Sequence, residues 1–311
     1  MRKGFLFLGI FIFIANSLFA QQNTYEFLRL DTSPRAAALA GGFVSGNDDP
    51  NVIFYNPSGI AMLEGNPVSF SFLKHLLDIN SASVAYSQEF EGIGRFGAGI
   101  QYINYGTFTG ADEAGNRLGE FSANEMALSI GYANELDENF YYGANAKFIF
   151  SGIDDKTSTA VALDLGLHYT IPDERWNFGI SVLNLGMQTS KYFSADEDLP
   201  LDIRVGFSKQ LEHLPFRFFV SLNKLNQDYN SLGDRFKQFT LGGEIRLSKA
   251  LNLRLGYDNE KRRDLKIGTA AGLAGFNIGL GVIISDYKFD YAFSSMGSIG
   301  SLHRIGISTT F

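Results

Sequence analysis

Residues 31–62 read Asp31-Thr-Ser-Pro-Arg35-Ala-Ala-Ala-Leu-Ala40-Gly-Gly-Phe-Val-Ser45-Gly-Asn-Asp-Asp-Pro50-Asn-Val-Ile-Phe-Tyr55-Asn-Pro-Ser-Gly-Ile60-Ala-Met. Ser33 can cap a short helix, Pro34 suits its first position, and Gly41 or Gly42 can close it. An Asn-Pro-Ser-Gly turn at 56–59 follows. A helix of about six residues is marginal in water because nucleation is costly. We therefore expect the rest of the chain to hold this segment, either as an edge cover or as the plug of a barrel.

The chain from 63 to 311 has no other good helix signal and alternates apolar with polar residues at a period of two. Phe96–Tyr102 and Val161–Tyr169 are two of the clearest runs. We count about 14 such strands, an even number, as bacterial outer-membrane barrels require. Because a soluble sandwich alternates in the same way, the period alone leaves both classes of protein open.

The lengths of the connections separate the two classes. The connections after alternate strands are short, namely Glu89–Gly94, Ala133–Asn139, Ile171–Arg175, Gln210–Pro215, Ser248–Ala250 and Ser285–Asp286. The intervening ones are mostly long, namely Asn104–Asn124, Gly186–Pro200, Leu225–Arg235 and Asp258–Gly275. Short turns at one end and long loops at the other are typical of an outer-membrane barrel whose chain ends face the periplasm. Aromatic residues near the strand ends and a last strand ending on Phe311 fit this architecture.

The beginning of the chain has the pattern of a secretory signal peptide. Arg2 and Lys3 precede an apolar run, Gly4–Ile14, and Ser17–Ala20 forms a small-residue cleavage site. The run is too short to span a membrane comfortably. We therefore predict a signal peptide at 1–20, an N-terminal segment with the short helix and the turn at 21–66, and the barrel at 67–311. The sequence thus predicts an all-β protein, a transmembrane antiparallel β-barrel with the helical segment in or under its lumen.

Composition excludes several classes of function. The chain has no Cys, which excludes a disulfide framework and thiol catalysis. Cleavage of the signal peptide would change the formal net charge from −7 to −9. A nucleic-acid-binding domain needs a basic patch instead, so we expect no nucleic acid among the partners.

No catalytic constellation stands out. His168 shares a strand face with Asp164, which could orient an imidazole as in a serine hydrolase, but a polar lumen also places polar residues on one face. Asp48-Asp49 and Asp112-Glu113 could bind a divalent cation, yet neither has the ligand series of a calcium loop. We therefore predict a protein that is not an enzyme, with no catalytic, cofactor-binding or metal-binding residues.

Charged residues of both signs fall on the polar, lumen-facing side of the strands. They are Lys147, Asp164, Arg204, Arg217, Glu244, Arg246 and Arg254. These side chains can pair across the lumen, hold the N-terminal segment, or line the path of a solute.

The residues of the opening stretch also carry a resemblance to a known family. The motif residues are Pro34, Arg35, Gly41, Gly42, Asp49, Pro50, Asn56, Pro57 and Gly59. Together with Gly99–Gly106, Val182–Gly186, Pro215–Phe219 and Gly272–Phe276, they resemble the PorV/PorQ family of FadL-like outer-membrane barrels, and most of all its PorQ branch.

This resemblance implies a component of the type IX secretion system in the outer membrane of a Gram-negative bacterium. The barrel would be a dock for the complex that attaches exported proteins to the cell surface. The implied partners are PorV-like, sortase-like and PorZ-like proteins, with membrane lipid or lipopolysaccharide around the barrel. The alternative is a FadL-like transport channel for hydrophobic small molecules, with Ser33–Gly42 as its plug. Loop length favours Asn104–Asn124, Gly186–Pro200 or the periplasmic rim for contacts with a partner.

Overall fold

The computed structural model describes residues 24–194, 196–227, 231–266 and 272–311. The predicted signal peptide, 1–20, lies outside these residues, so its cleavage stays a prediction.

The described strands form one closed antiparallel barrel in which neighbours in the chain are neighbours in the sheet and the first strand pairs with the last. The strands are β1 Pro67–Lys74, β2 Asn80–Phe90, β3 Gly94–Ala111, β4 Arg117–Asp137, β5 Phe140–Ile153, β6 Lys156–Ile171, β7 Trp176–Ser190, β8 Asp202–Gln210, β9 Phe216–Leu222, β10 Phe239–Arg246, β11 Leu251–Asp258, β12 Phe276–Ile284, β13 Tyr287–Ser295 and β14 Ser301–Thr310. The predicted fold class is confirmed.

The outer surface of the barrel is apolar and the inner surface is polar. Along β6, Leu163 and Leu165 are 49% and 46% exposed, whereas Asp164 is fully buried. The same alternation recurs on the other strands, where outward Ile, Leu, Phe and Tyr side chains also suit extended backbone. A soluble sandwich would bury its apolar face, so this inverted pattern is that of a barrel surrounded by lipid.

The N-terminal segment lies inside the barrel and contains more helix than the sequence predicted. Helix α1, Pro34–Ala38, is capped by Ser33 as predicted. The stretch after it was expected to be a turn, but it forms two 3-10 helices, Pro50–Phe54 and Pro57–Met62. Their side-chain caps, Asp49 and Asn56, accept hydrogen bonds from backbone N–H groups two residues later, and each is followed by a proline at the first helical position.

Two predictions about the connections were wrong. The predicted loop Asn104–Asn124 is mostly strand, because β3 and β4 stay paired, through register shifts at Asn104/Thr107 and Gly110/Ala111, up to a short turn. In that turn the Asp112 carboxylate accepts hydrogen bonds from the N–H groups of Ala114 and Asn116. Helices α2, Leu232–Arg235, and α3, Asn259–Asp264, lie in connections predicted to be irregular. No helix among the described residues is long and apolar enough to cross a membrane.

Candidate functional site

Residues 24–66, here called the plug, fill the barrel lumen. Helix α1 packs against β11–β14, and the 3-10 helix Pro57–Met62 packs against β3–β6 on the opposite side. Leu39, Val52, Ile53 and Ile60 are fully buried between the two contacts. The plug is therefore the hydrophobic core of the barrel, which explains how such short helices persist.

Arg35 anchors the plug to the barrel wall. Its side chain is 2% exposed and donates to Asp48 at 3.0 Å and to Glu244 of β10 at 2.9 Å. Glu244 also accepts from Arg254 at 2.5 Å, and Arg217 lies 3.2 Å from Asp48. The Asp48 side chain is 49% exposed. Partial burial raises its pKa, but the guanidinium groups of Arg35 and Arg217 lower the pKa below its usual range. The largely buried charges of Arg35, Glu244 and Arg254 compensate one another.

The remaining charges on the lumen side pair within the wall. Lys147 lies 2.9 Å from Asp164, and Arg204 lies 2.7 Å from Asp202. Arg254 also reaches Asp290 at 2.5 Å. The predicted lumen-facing set thus serves two of the three roles considered. Arg217 and Glu244 hold the plug, and the others pair within the wall, Arg204 with Asp202 on its own strand and the rest between strands. Arg246 is the exception, since it is exposed at the end of β10.

A ring of small positions on the inner wall lets the plug approach the backbone of the strands. At ten glycines, here called the glycine belt, an added Cβ would lie within 3.0 Å of a plug atom: Gly97, Gly99, Gly143, Gly166, Gly179, Gly206, Gly242, Gly256, Gly279 and Gly306. At Gly143 the nearest atom is the backbone nitrogen of Ser58, at 2.5 Å. Sequence analysis missed the belt, although these glycines recur on the polar face of the strands.

Asn56 links the plug to the wall at the belt. It is fully buried, and its Nδ2 donates to the carbonyl oxygens of Val44, at 2.9 Å, and Leu167 of β6, at 3.1 Å. Its Oδ1 accepts from the backbone N–H and the hydroxyl of Ser58. An added Cβ at Gly166 would lie 2.0 Å from that Oδ1, so Asn56 and Gly166 fit each other.

The other family-motif residues shape the plug itself. Pro34 packs against Gly306, Gly41 has a φ of +72°, and an added Cβ at Gly42 would lie 3.0 Å from the Thr240 hydroxyl. Pro50 and Pro57 begin the two 3-10 helices, the first of which is capped by Asp49. An added Cβ at Gly59 would lie 2.7 Å from the carbonyl oxygen of Gly46. The structure brings all the motif residues together in one segment, in which each is buried except the half-buried Gly41, and Asp49 and Pro50 line the cavity at the short-turn end.

The larger cavity lies at the long-loop end and has a volume of about 790 Å³. It lies between the upper parts of β3–β6, the first residue of the plug and the connection that follows β7. Its apolar lining includes Phe108, Phe121, Ile153 and Phe193. The Phe108 and Phe121 rings stack with their centroids 5.3 Å apart. Cavities of this size and lining are typical of small-molecule sites.

Polar groups occupy one side of this cavity. The carboxylate of Glu125, which is 7% exposed, accepts from the Tyr105 hydroxyl at 2.5 Å and from the Ser151 hydroxyl at 2.9 Å. Tyr192 donates to the same Ser151 hydroxyl, and burial raises the pKa of Tyr192 to about 12. Thr24 donates to Glu197, which joins the start of the plug to the connection after β7.

A smaller cavity of about 380 Å³ lies at the short-turn end, between the plug and the wall. Asp48, Glu64, Asp286 and Lys288 are among its lining residues. The fully buried residues of the plug lie between the two cavities. Among the described residues, the plug therefore separates the two cavities, and the larger one is here called the chamber.

The structure does not bring the candidate catalytic and cation-binding residues into a working arrangement. Asp164 accepts from the Asn184 N–H at 2.8 Å and pairs with Lys147, while neither ring nitrogen of His168 has a hydrogen-bond partner among the described residues. Of the candidate cation ligands, Asp48 forms an ion pair with Arg35, and the Asp112 carboxylate accepts a hydrogen bond from the Asn116 N–H within a turn. Within the described ranges, no group of three His, Cys, Asp or Glu side chains is placed to bind a metal ion.

The Asp164–Asn184 contact marks a bulge that sequence analysis missed. The pairing of β6 with β7 shifts between Leu163 and Leu165, and Asn184 has a φ of +62°. The Asn184 side chain accepts from Lys147 at 2.8 Å and donates to the carbonyl oxygen of Pro200 at 3.1 Å. Asn tolerates this left-handed conformation better than most residues, which explains the Leu-Asn-Leu-Gly segment at 183–186.

Comparison with solved structures finds barrels of the same design. The chain is similar to a Pseudomonas aeruginosa FadL homologue, with a TM-score of 0.58 and 10% identity over 90% of this chain and 98% of that chain. It is also similar to the P. putida toluene transporter TodX, with a TM-score of 0.55 and 11% identity over 89% of this chain and 97% of that one. No family model and no curated protein matches the sequence. The FadL-like barrel fold is thus confirmed, whereas membership of the PorV/PorQ family and a part in type IX secretion stay predictions.

Proposed function

We propose that this chain is a non-enzymatic outer-membrane barrel that takes up small hydrophobic molecules. The observation that carries this proposal is the aromatic-lined chamber of about 790 Å³ at the long-loop end, above the helices of the plug. Such a chamber can extract an apolar molecule from water because burial of apolar surface is favourable. The fold likeness to a protein described as a toluene transporter supports the same reading.

The surface of the barrel supports the location. The apolar outward face suits a lipid bilayer, and the short turns and the end of β14 lie at the end opposite the chamber. The prediction that both chain ends lie at that end holds for the C-terminus only, because Thr24, the first described residue, lines the chamber. In an outer membrane this arrangement directs the chamber to the outside of the cell. The predicted signal peptide would take the chain there.

Passage beyond the chamber requires the start of the plug to move. Tyr25, Phe27 and Leu28 are buried next to the chamber, in an apolar cluster with Ile103 and Leu199. The Tyr25 hydroxyl lies 2.5 Å from the Ser158 hydroxyl, and Thr24 donates to Glu197. These are neutral or half-exposed contacts, which cost less to break than the buried ion pairs around Arg35. We expect the first residues of the plug to yield while the helices below stay in place.

The proposal can be tested with N-phenyl-1-naphthylamine, a neutral fluorophore that an intact outer membrane excludes. Ala123 is buried and lines the chamber, so Ala123→Trp would fill part of it. Ala98→Trp, on the exposed outward face of β3, is the matched control. We expect purified wild type and Ala98→Trp to bind the dye and to speed its entry into intact cells, and Ala123→Trp to lose most of both. Equal binding and entry for all three proteins would contradict the proposal.

The tightly filled lumen favours a second candidate function, the membrane dock implied by the PorV/PorQ resemblance. A dock needs no passage, and the glycine belt with the Arg35 pairs gives a rigid barrel. The partners would be the PorV-like, sortase-like and PorZ-like proteins of a type IX attachment complex.

The dock can be tested by purifying the tagged chain from native outer membranes in mild detergent, with mass spectrometry of the proteins that accompany it. Sortase-like and surface-attachment proteins in stoichiometric amounts would favour the dock. A barrel that purifies alone, and that binds the dye, would favour uptake.

A further inference from the structure

The larger chamber is unusual in its charge. Four carboxylates line it, those of Glu125, Asp154, Asp155 and Glu197, against the single cation Lys156. Lys156 pairs with Asp155 at 2.8 Å. Among the described residues, no Lys, Arg or His nitrogen lies within 4.0 Å of the other three carboxylates. This contrasts with the surroundings of the plug, where Arg35 lies within 4.0 Å of Asp48, Asp49 and Glu244 of β10.

Glu125 is the buried member of the group. Both of its carboxylate oxygens accept hydrogen bonds from neutral hydroxyls, those of Tyr105 and Ser151. Hydrogen bonds of this kind stabilise the charged form of a carboxylate but supply no counter-charge. At 7% exposure the carboxylate also has little water around it. A positive group that entered the chamber would therefore be attracted to Glu125, because no cationic side chain of the described residues pairs with it.

A bare metal ion does not fit this arrangement. Within the described residues, no three acidic or imidazole side chains converge closely enough to ligate one. The rest of the lining is apolar, with the stacked Phe108 and Phe121 rings and the side chains of Ile153 and Phe193. The lining instead complements a molecule that has an apolar body and one cationic end.

We propose that the chamber selects hydrophobic molecules with a cationic head, such as alkyl or aromatic amines and quaternary ammonium compounds, over those with a carboxylate head. This inference rests on the proposed uptake function and names the ligand class of the same chamber. The apolar body lies against the Phe108–Phe121 pair, and the head lies beside Glu125 and Glu197. A carboxylate head would meet like charges there and is disfavoured.

The test uses three ligands with the same twelve-carbon chain: dodecyltrimethylammonium, dodecanol and dodecanoate. Each displaces N-phenyl-1-naphthylamine from the purified full-length barrel in a neutral detergent at pH 7.5. We expect the ammonium ligand to be effective at a concentration at least tenfold lower than dodecanoate, with dodecanol between them. Glu125→Gln and Glu197→Gln should each reduce this ratio several-fold, and Glu125→Asp should retain more of it than Glu125→Gln.

Glu174→Gln, at an exposed residue of the turn after β6 at the other end of the barrel, is the matched control and should leave the ratio unchanged. Because all variants are measured in the same micelles, differences in how the ligands partition into detergent cancel. Equal displacement by the three ligands, or an unchanged ratio in both glutamine variants, would overturn the selectivity and leave uptake standing. If the purified barrel binds neither the dye nor any of the three ligands, the uptake function is overturned as well.

Discussion

The Nη2 atom of Arg35 lies 2.9 Å from Oε1 of Glu244, a residue 209 positions later in the chain. This contact fixes α1 to β10, and Asp48 on the other side of the guanidinium fixes the plug segment that follows. The plug is thereby held by a charge network as well as by apolar packing. A barrel built in this way holds its N-terminal segment as a core inside the lumen and leaves the chamber at the long-loop end.

Replacement of Arg35 should loosen the plug. Arg35→Met removes the hydrogen bonds to Asp48 and Glu244 but leaves Asp48 with Arg217 and Glu244 with Arg254, so we expect a loss of about 1.5–3 kcal/mol. Arg35→Lys keeps the positive charge but cannot donate to Asp48 and Glu244 from the two sides of a planar guanidinium, so its loss of stability should be intermediate. Digestion of the folded barrel with proteinase K, followed by mass spectrometry, should show faster cleavage within 24–66. Arg117→Met, at an exposed residue of β4, is the control; equal cleavage of all the proteins would refute the anchoring role.

The glycine belt predicts a contrast within a single strand. A Cβ at Gly143 would meet plug backbone at 2.5 Å, whereas at Gly152, also on β5, the nearest neighbour is a side-chain atom 3.5 Å away. Gly143→Ala should therefore destabilise the folded barrel by about 1–3 kcal/mol through overpacking, and Gly152→Ala should have little effect. Thermal unfolding of the two variants in detergent measures this difference. Indistinguishable midpoints would mean that the plug can shift away from the wall.

Asn56 should not tolerate a carboxylate. In Asn56→Asp, an oxygen would replace the Nδ2 that donates to the Val44 and Leu167 carbonyl oxygens. The new carboxylate oxygen and the two carbonyl oxygens would then face one another with no hydrogen-bond donor between them, which is unfavourable. Asn56→Ala loses the same hydrogen bonds but adds no charge, at a cost of about 1–3 kcal/mol. We expect Asn56→Asp to be the less stable of the two variants at pH 7, by thermal unfolding. The reverse order would argue against the assigned orientation of the side-chain amide.

The plug should also loosen in acid, in part through Asp48. The pKa of Asp48 is held below its usual range, so its contribution to stability is complete above the unfolded-state pKa, about 4. That contribution is lost as the pH falls towards the folded-state pKa. Between pH 7 and pH 3, wild type should therefore lose more stability than Asp48→Asn, which has no carboxylate at this position. A parallel loss in the two proteins would contradict the role of Asp48.

The strands could be predicted from sequence because each shows its own alternation, and β6 already separates Leu163 and Leu165 from Asp164. The cap of α1 could also be predicted, since Ser33 and Pro34 act on their immediate neighbours. Pairings between distant residues could not, because nothing local to Arg35 specifies Glu244. The long strands β3 and β4 were mistaken for a loop, because their polar ends extend beyond the apolar band that reveals a strand.

The chamber was the least predictable feature. Its lining comes from the plug, from four strands and from the connection after β7, so no single segment carries its signature. The two segments singled out by loop length, Asn104–Asn124 and Gly186–Pro200, do line it through residues such as Phe121 and Tyr192. Whether they also contact a protein partner stays a prediction.

The central claim is that the chamber binds hydrophobic molecules while the helices of the plug below it stay in place. The most direct measurement is a crystal structure of the barrel soaked with 4-bromotoluene, in which anomalous scattering locates the bromine. The account predicts a bromine peak beside Phe108 and Phe121, absent from Ala123→Trp, with Arg35 still paired with Glu244. Bromine found only on the outer apolar face, or within a lumen from which the plug has withdrawn, would contradict it.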